Sequence, residues 1–171
     1  MKRVLVLLAV LWLGVNANAQ MKIAHVNSQS LLDSLPSYLK AENDLKKFQE
    51  DGMNELSILE KQINDAYVRL DGIKNDLTPT MLKIEQDKIM GLEQRYQQTQ
   101  TLLQQQLQTL ANEYNQPILD RLQKAVEIVA DRKKVNYVMD VSKLLYSKMG
   151  IDITAEVKME LAKLDAESMK K

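Results

Sequence analysis

Residues 37–77 read SYLKAENDLKKFQEDGMNELSILEKQINDAYVRLDGIKNDL, and they set the architecture of the whole chain. Apolar or small residues recur here at steps of three or four without a break, which is typical of a helix that packs along one seam. These seam residues are Ala41, Leu45, Phe48, Gly52, Leu56, Leu59, Ile63, Ala66, Leu70, Ile73 and Leu77. The repeat is heptad-like, with one extra step around Gly52. The pattern predicts one long amphipathic helix.

A second seam begins after Pro79 and predicts a second helix. Its residues are Leu82, Ile89, Leu92, Tyr96, Thr99, Leu103, Leu107, Leu110, Tyr114, Ile118, Leu122, Ala125 and Val129. Between the seams, Asn75 can close the first helix in a left-handed conformation, Thr78 can cap the second, and Pro79 suits its first position. Each leg would extend about 55–60 Å at 1.5 Å per residue, so the chain returns close to where it left.

The two helices therefore predict an antiparallel hairpin over residues 37–116 with its tip near 75–79, which we call the arm. Two residues interrupt an otherwise regular coiled coil. Gly52 weakens a helix, and Pro117 removes a backbone donor, so we expect both to act as hinges. We interpret Pro117 as the joint where the arm meets a smaller body made of residues 20–36 and 117–171.

The N-terminus is typical of a secretory signal peptide. Lys2 and Arg3 supply positive charge, residues 4–15 are nearly all apolar, and small residues follow at the cleavage spacing. We predict that residues 1–19 are removed after Ala19. The apolar run is shorter than the ~20 residues that cross a bilayer, which argues against an uncleaved anchor.

Composition excludes several classes of protein. The chain has no cysteine, which rules out a disulfide framework and a thiolate metal site. Without Lys2 and Arg3, 21 basic residues face 23 acidic ones, for a net charge of −2 that does not suggest nucleic-acid binding. The single histidine, His25, lacks partners for metal binding or catalysis, so we interpret it as structural or surface-exposed. The five glycines form no phosphate-binding loop. We therefore expect no cofactor and no enzymatic activity.

The body is predicted to contain short strands and a terminal helix. A first strand covers Lys22 to Asn27, with a short helical turn after it. Residues 135–141 and 144–146 read as two strands joined by a tight turn. A helix follows from Ala155 to Leu164, with Thr154 as its cap. So little material cannot enclose a large core, which predicts closure by self-association. Candidate residues of this oligomeric body are Ile23, Val26, Tyr137, Val138, Leu144 and Tyr146.

Several apolar residues of the arm do not belong to either seam. They are Met53, Ile58, Tyr67, Val68, Met81, Ile84, Met90 and Leu102. Flexible methionines suit surfaces that bind many partners loosely, which makes these residues candidates for partner contact. The alternative is that they merely widen the seam, and Ile84 is the strongest candidate for that role.

The residues resemble those of the Skp/OmpH family of periplasmic chaperones over essentially the whole mature chain. The resemblance lies in Ile23-Ala-His-Val-Asn27, the hairpin, the Pro117-Ile118 step, Tyr137-Val-Met-Asp140 and Gly150-Ile-Asp-Ile-Thr154. It implies a homotrimer whose strands form a small β-barrel body, with three helical arms that enclose a cavity. It also implies that unfolded outer-membrane proteins are held in the cavity without ATP. Known members are often strongly basic, whereas this chain is near neutral, so contact with membranes or lipopolysaccharide stays open.

The leading hypothesis is thus an ATP-independent periplasmic holdase that cages unfolded outer-membrane proteins and prevents their aggregation. The alternative is a structural coiled-coil spacer or adaptor of the cell envelope, which would share the arm and the export signal. Such a spacer would keep a uniform seam and would need no terminal β body.

Overall fold

The computed structural model describes residues 21–146 and 149–170, so the predicted signal peptide and its cleavage site after Ala19 lie outside the described residues. The chain is mostly helical, with a small sheet. In chain order the elements are β1 (Ile23–Val26), α1 (Ser28–Asp33), α2 (Pro36–Ile73), α3 (Pro79–Lys133), β2 (Tyr137–Asp140), β3 (Ile151–Asp152) and α4 (Thr154–Ser168). Short 3₁₀ turns cover Lys74–Asp76 and Val141–Lys143.

Helices α2 and α3 pack against each other along the two seams. Leu56, Leu59 and Ala66 are buried in α2, and Ile89 and Leu103 are buried in α3. Most other seam residues of the arm are half-buried, as expected for a structure one layer thick. The hairpin is therefore stabilised mainly by this one line of contacts.

The tip of the hairpin differs in one detail from the prediction. The Thr78 hydroxyl accepts a hydrogen bond from the Met81 amide at 3.3 Å, and Pro79 takes the first position of α3, both as predicted. Asn75, however, does not adopt a left-handed conformation. It lies in the 3₁₀ turn, and Lys134 is the non-glycine residue with positive φ among the described residues. A tightened last turn closes α2 instead.

Gly52 has a packing role that the sequence did not reveal. A Cβ atom added at Gly52 would lie 2.3 Å from Leu103 Cδ1 and 2.7 Å from Leu103 Cδ2. The Leu103 side chain thus occupies the space that any other residue would need. This close approach of α3 to α2 is a packing reason for a glycine here, and the hinge role of Gly52 stays a prediction.

Helix α3 continues through Pro117 without ending there. It stops at Lys134, whose φ of 54° is left-handed and whose amide donates to the carbonyl oxygens of Ala130 and Asp131. Arg132 and Lys133 in the last turn complement the negative end of the helix dipole. One helix therefore joins the arm to the body.

The sheet corrects the predicted strand arrangement. Its order is β2-β1-β3, and both pairings are parallel. Residues 144–146 form no strand, and the described third strand is Ile151–Asp152. The predicted tight hairpin after residue 141 is therefore wrong. Parallel pairing needs a crossover, and α1, α2 and α3 together provide the one from β1 to β2.

The body has a larger core within one chain than the sequence analysis allowed. Ala24 and Val26 of β1 are buried in this core together with residues of the helices. The core also contains Leu31, Leu35, Ala41, Ile118, Ala125, Val129, Ile153, Val157 and Leu161. The strands and α4 alone would enclose only a small core, as predicted. The core is larger because the end of α3 and the short helix α1 also contribute apolar residues.

Helix α4 begins differently from the prediction. Thr154 is the first helical residue rather than the cap, and its amide donates to Asp152 Oδ1 at 2.9 Å. The Thr154 hydroxyl donates to the same oxygen at 2.6 Å and accepts from the Asn27 amide at 3.1 Å. The Asp152 carboxylate thus accepts from a free backbone amide at the start of α4, and the Thr154 hydroxyl connects α4 to the end of β1.

A buried polar cluster joins the arm to the body. Asp165 of α4 is only 1% exposed, and its carboxylate lies 3.1 Å from Arg121 Nη2 of α3. The same carboxylate accepts hydrogen bonds from the Ser37 hydroxyl and, at 3.3 Å, from the Ser37 amide in the first turn of α2. One carboxylate therefore ties together the two arm helices and the terminal helix.

Candidate functional site

All eight apolar residues outside the seams are exposed. Their exposed fractions lie between 49% and 66%, so none of them is buried in the hairpin core. Ile84, the expected exception, is 49% exposed and does not join the seam. The reason is the register of α3, in which Leu82 and Ile89 take the inward positions. The arm thus displays apolar side chains along both helices.

Tyr67 forms a side-chain hydrogen bond across the hairpin. Its hydroxyl donates to Glu93 Oε1 of the facing helix at 2.7 Å. This hydrogen bond to a carboxylate raises the pKa of the Tyr67 phenol, because it stabilises the protonated form. Tyr67 is therefore linked to α3 by its hydroxyl while about half of the residue stays exposed.

One side of the hairpin contains a groove with an apolar floor, which we call the acidic groove. It consists of two adjoining cavities of about 420 and 330 Å³ that share Phe48, Leu102 and Gln106. The remaining lining residues are Asp51, Gly52, Glu55, Thr99, Leu103, Gln105, Thr109, Leu110 and Glu113. No lysine or arginine lines either cavity.

A second groove between the same helices has a different character. Its volume is about 730 Å³, and Leu45, Leu107 and Ala111 form its apolar part. Glu42, Lys46 and three glutamines supply the polar rim, so both signs of charge are present. The two grooves therefore give the hairpin two chemically distinct sides.

The sheet has an outward face that is apolar and uncovered by its own chain. Ile23 lies beside Tyr137, and His25 lies beside Met139, in the parallel register of β1 and β2. Ile23, Tyr137 and Met139 are all exposed. We call these three residues the outward sheet face.

The structure divides the six candidate residues of the oligomeric body into three groups. Ile23, Tyr137 and Tyr146 are exposed, Val138 and Leu144 are half-buried, and Val26 lies in the core of its own chain. Strand alternation explains the difference between Ile23 and Val26, because they project from opposite faces of the sheet.

His25 lies at the edge of this face in a structural setting. Its Nε2 is 4.0 Å from Asp152 Oδ2, and its buried Nδ1 has no hydrogen-bond partner. A Cβ atom added at Gly150, which has φ of +144°, would lie 3.0 Å from that Nδ1. In the described part of the chain no cluster of three or more His, Cys, Asp or Glu residues could hold a metal ion.

Sequence reasoning missed the acidic groove and the Asp165 cluster. Asp51, Glu55 and Glu113 look like ordinary solvated charges because each lies on an amphipathic helix. Their position could have indicated the groove, because these residues lie next to seam residues on the side of the hairpin that carries Leu102. Asp165 could have been suspected because it follows Leu161 and Leu164 on the inward side of α4.

Comparison with known proteins identifies relatives over most of the chain. The sequence model of the family described as "Outer membrane protein (OmpH-like)" matches residues 22–161. The chaperone protein Skp of Escherichia coli K12 is 28% identical over 146 residues, which cover 85% of this chain and 89% of Skp. An uncharacterized protein of Aquifex aeolicus VF5 is 28% identical over 160 residues, covering 91% of this chain and 94% of that protein.

A solved structure shares the fold. The crystal structure of an OmpH-like outer membrane chaperone from Caulobacter crescentus CB15 matches with a TM-score of 0.73 at 16% identity. The match covers 86% of this chain and 88% of that one. Within residues 21–146 and 149–170, no helix is both long and apolar enough to cross a membrane.

Proposed function

The chain belongs to the OmpH-like family, and from this we propose that it is an ATP-independent periplasmic holdase chaperone for unfolded outer-membrane proteins. The observation that carries the proposal is the set of eight exposed apolar residues on the arm. An apolar side chain contributes roughly 25 cal/mol for each Å² that a partner covers, so each contact is weak. Many weak contacts hold an unfolded chain without selecting one conformation.

Caging is the mechanism that this surface suits. A precursor of a β-barrel exposes apolar segments and unpaired strand edges, which aggregate when they meet one another. When those segments exchange among exposed arm residues, the precursor stays away from other precursors. Binding to the unfolded state also delays folding until the precursor is released, and release needs no nucleotide if folding elsewhere consumes the free precursor.

Assembly is the second part of the proposal. We propose that the outward sheet face, together with Tyr146, joins three copies into a homotrimer. Exposed apolar residues on a sheet whose edge strands are short favour covering by further chains. A cyclic arrangement would direct three arms to one side and create the cavity. Export to the periplasm would follow from the predicted signal peptide.

Aggregation measurements on a real client test the function. A urea-unfolded outer-membrane barrel is diluted into buffer with and without the purified protein, and turbidity is followed. We expect turbidity to fall as the protein is added, without ATP, and light scattering of the protein alone to give the mass of a trimer. Unchanged turbidity with a well-folded oligomer would favour the spacer or adaptor alternative.

A further inference from the structure

We propose that the acidic groove binds extended segments in which apolar and basic residues alternate, so that the chaperone holds cationic amphipathic segments of its clients preferentially. This inference rests on the proposed function, because it assigns one class of client segment to one side of the arm. It depends on three features of the groove: its apolar floor, its uncompensated carboxylates and its length.

The floor fits apolar side chains. Phe48, Leu102 and Leu110 line the two cavities, and Leu102 is 52% exposed. Leu103, which is buried against Gly52, forms the bottom of the groove between the helices. An apolar side chain of a client placed here would be buried together with these residues. The removal of both surfaces from water would stabilise the complex.

The rim fits positive charge. Asp51, Glu55 and Glu113 line the cavities, and none of them forms an ion pair with a basic residue of the described chain. Other arm carboxylates are paired, as in Lys46–Glu50 and Arg69–Glu85. Glu113 also lines a neighbouring cavity with Lys40 and Arg121, but the acidic groove itself contains three unpaired carboxylates and no lysine or arginine, which favours a cationic occupant.

The length fits a short extended segment. The lining residues of α3 run from Thr99 to Glu113, which is about 21 Å at 1.5 Å per residue. An extended segment of about six residues spans that distance. Its alternate side chains can enter the apolar floor, while long Lys or Arg side chains reach sideways to the carboxylates. The amides of Gln105 and Gln106 are available to its backbone.

Peptide binding tests the inference on the full-length protein. The probe is a fluorescein-labelled 12-residue peptide in which valine and lysine alternate, and the comparison peptide carries glutamate in place of lysine. We expect the lysine peptide to bind about tenfold more tightly at low salt, from three exposed charge contacts, and to lose this advantage as salt is added. Equal affinities for the two peptides would overturn the proposal.

Two matched triple variants distinguish binding at the acidic groove from general electrostatic attraction to the acidic residues of the protein. Combined Asp51→Asn, Glu55→Gln and Glu113→Gln should remove the preference for lysine. Combined Glu42→Gln, Glu60→Gln and Glu167→Gln changes the net charge equally at exposed sites outside the groove and should keep it. Equal loss in both triple variants would reject the groove as the site.

A single apolar change gives a readout that does not depend on charge. Leu102→Gln should weaken both peptides several-fold, whereas Met159→Gln, at an exposed site on α4 outside the arm, should not. Unchanged binding in Leu102→Gln would overturn the role of the groove floor. If the peptides show no preference while the protein still suppresses client aggregation, the groove inference fails and the holdase function stands.

Discussion

Gly52 packs closely against Leu103, a constraint that its place in the sequence did not indicate. Its place in the seam suggested flexibility, and Gly→Ala in a helix ordinarily adds about 1 kcal/mol of stability. Here the new methyl group would collide with Leu103, and overpacking costs roughly 1–3 kcal/mol. We expect Gly52→Ala to lower the free energy of unfolding by about 1 kcal/mol, measured by urea denaturation.

Gly91 provides the matched control because it lies in α3 with no atom within 4 Å of an added Cβ. Gly91→Ala should stabilise the protein by up to about 1 kcal/mol. A stabilised Gly52→Ala variant would show that the Leu103 side chain moves aside easily and would support the hinge prediction for Gly52.

Asp165 carries the second prediction at this scale. The carboxylate is buried with Arg121 and Ser37, and removal of one partner from a buried ion pair leaves the other charge unpaired. We expect Asp165→Ala to lower the free energy of unfolding by about 3 kcal/mol. Glu167→Ala, an exposed site on the same helix, should change it by less than about 0.5 kcal/mol. Similar effects of the two variants in thermal denaturation would contradict the structural role of the cluster.

At the level of elements, the junction between β3 and α4 makes stability depend on pH. The hydrogen bonds from the Thr154 hydroxyl and amide lower the pKa of Asp152 below its usual value, although partial burial opposes them, and nearby His25 adds a smaller lowering effect. A group with a lowered pKa stabilises the fold above its unfolded pKa and loses that contribution as pH falls through the folded value.

Asp152→Asn tests this dependence. The variant should be less stable than the wild type at pH 7, by up to about 1 kcal/mol, because a negative charge near an exposed helix N-terminus contributes about that much. The difference should shrink as the pH falls below about 4, where the unfolded state takes up the proton, and should disappear below the lowered pKa of folded Asp152. A difference that stays constant from pH 7 to pH 2.5 in urea denaturation would rule out the charged hydrogen bond as its source.

Local patterns predicted the helices well but not the pairing of the strands. The seams of α2 and α3 follow from 3.6-residue periodicity, which each helix carries in its own sequence. Leu144-Leu-Tyr146 has the composition of a strand yet forms none. Ile151–Asp152 is only two residues long, and it becomes a strand because β1 offers an open edge beside it. Such short strands are defined by their partner, which one sequence segment does not contain.

The candidate site, too, could be predicted from the sequence only in part. That eight apolar residues face solvent followed from the seam register, because a helix places its remaining positions outward. The acidic groove depends on which residues of α2 lie opposite which residues of α3, and this register is set by the length of the turn at Lys74–Asp76. Sequence periodicity on each helix alone does not fix it.

For the whole molecule, the outward sheet face makes assembly testable. Combined Tyr137→Ser and Met139→Ser should shift the protein toward monomers in sedimentation velocity, because each substitution removes apolar area from the proposed interface. Met159→Ser, at an exposed site on α4, should leave the assembly unchanged. Since the core lies within one chain, the dissociated variant should retain most of its helical circular dichroism. Unaltered sedimentation of the double variant would exclude the outward sheet face as the interface.

The exposed residues of the arm decide between a chaperone and a spacer. Met53, Val68 and Met90 lie outside both seams, so combined substitution by glutamine should leave the melting temperature and the assembly intact. The same change should reduce, but not abolish, the suppression of client aggregation, because many contacts contribute to client binding. Leu59→Gln, at a residue 3% exposed in the seam, should instead lower stability by about 3 kcal/mol. Full suppression by the triple variant would reject these residues as the client surface, whereas a large fall in its melting temperature would return them to the hairpin core.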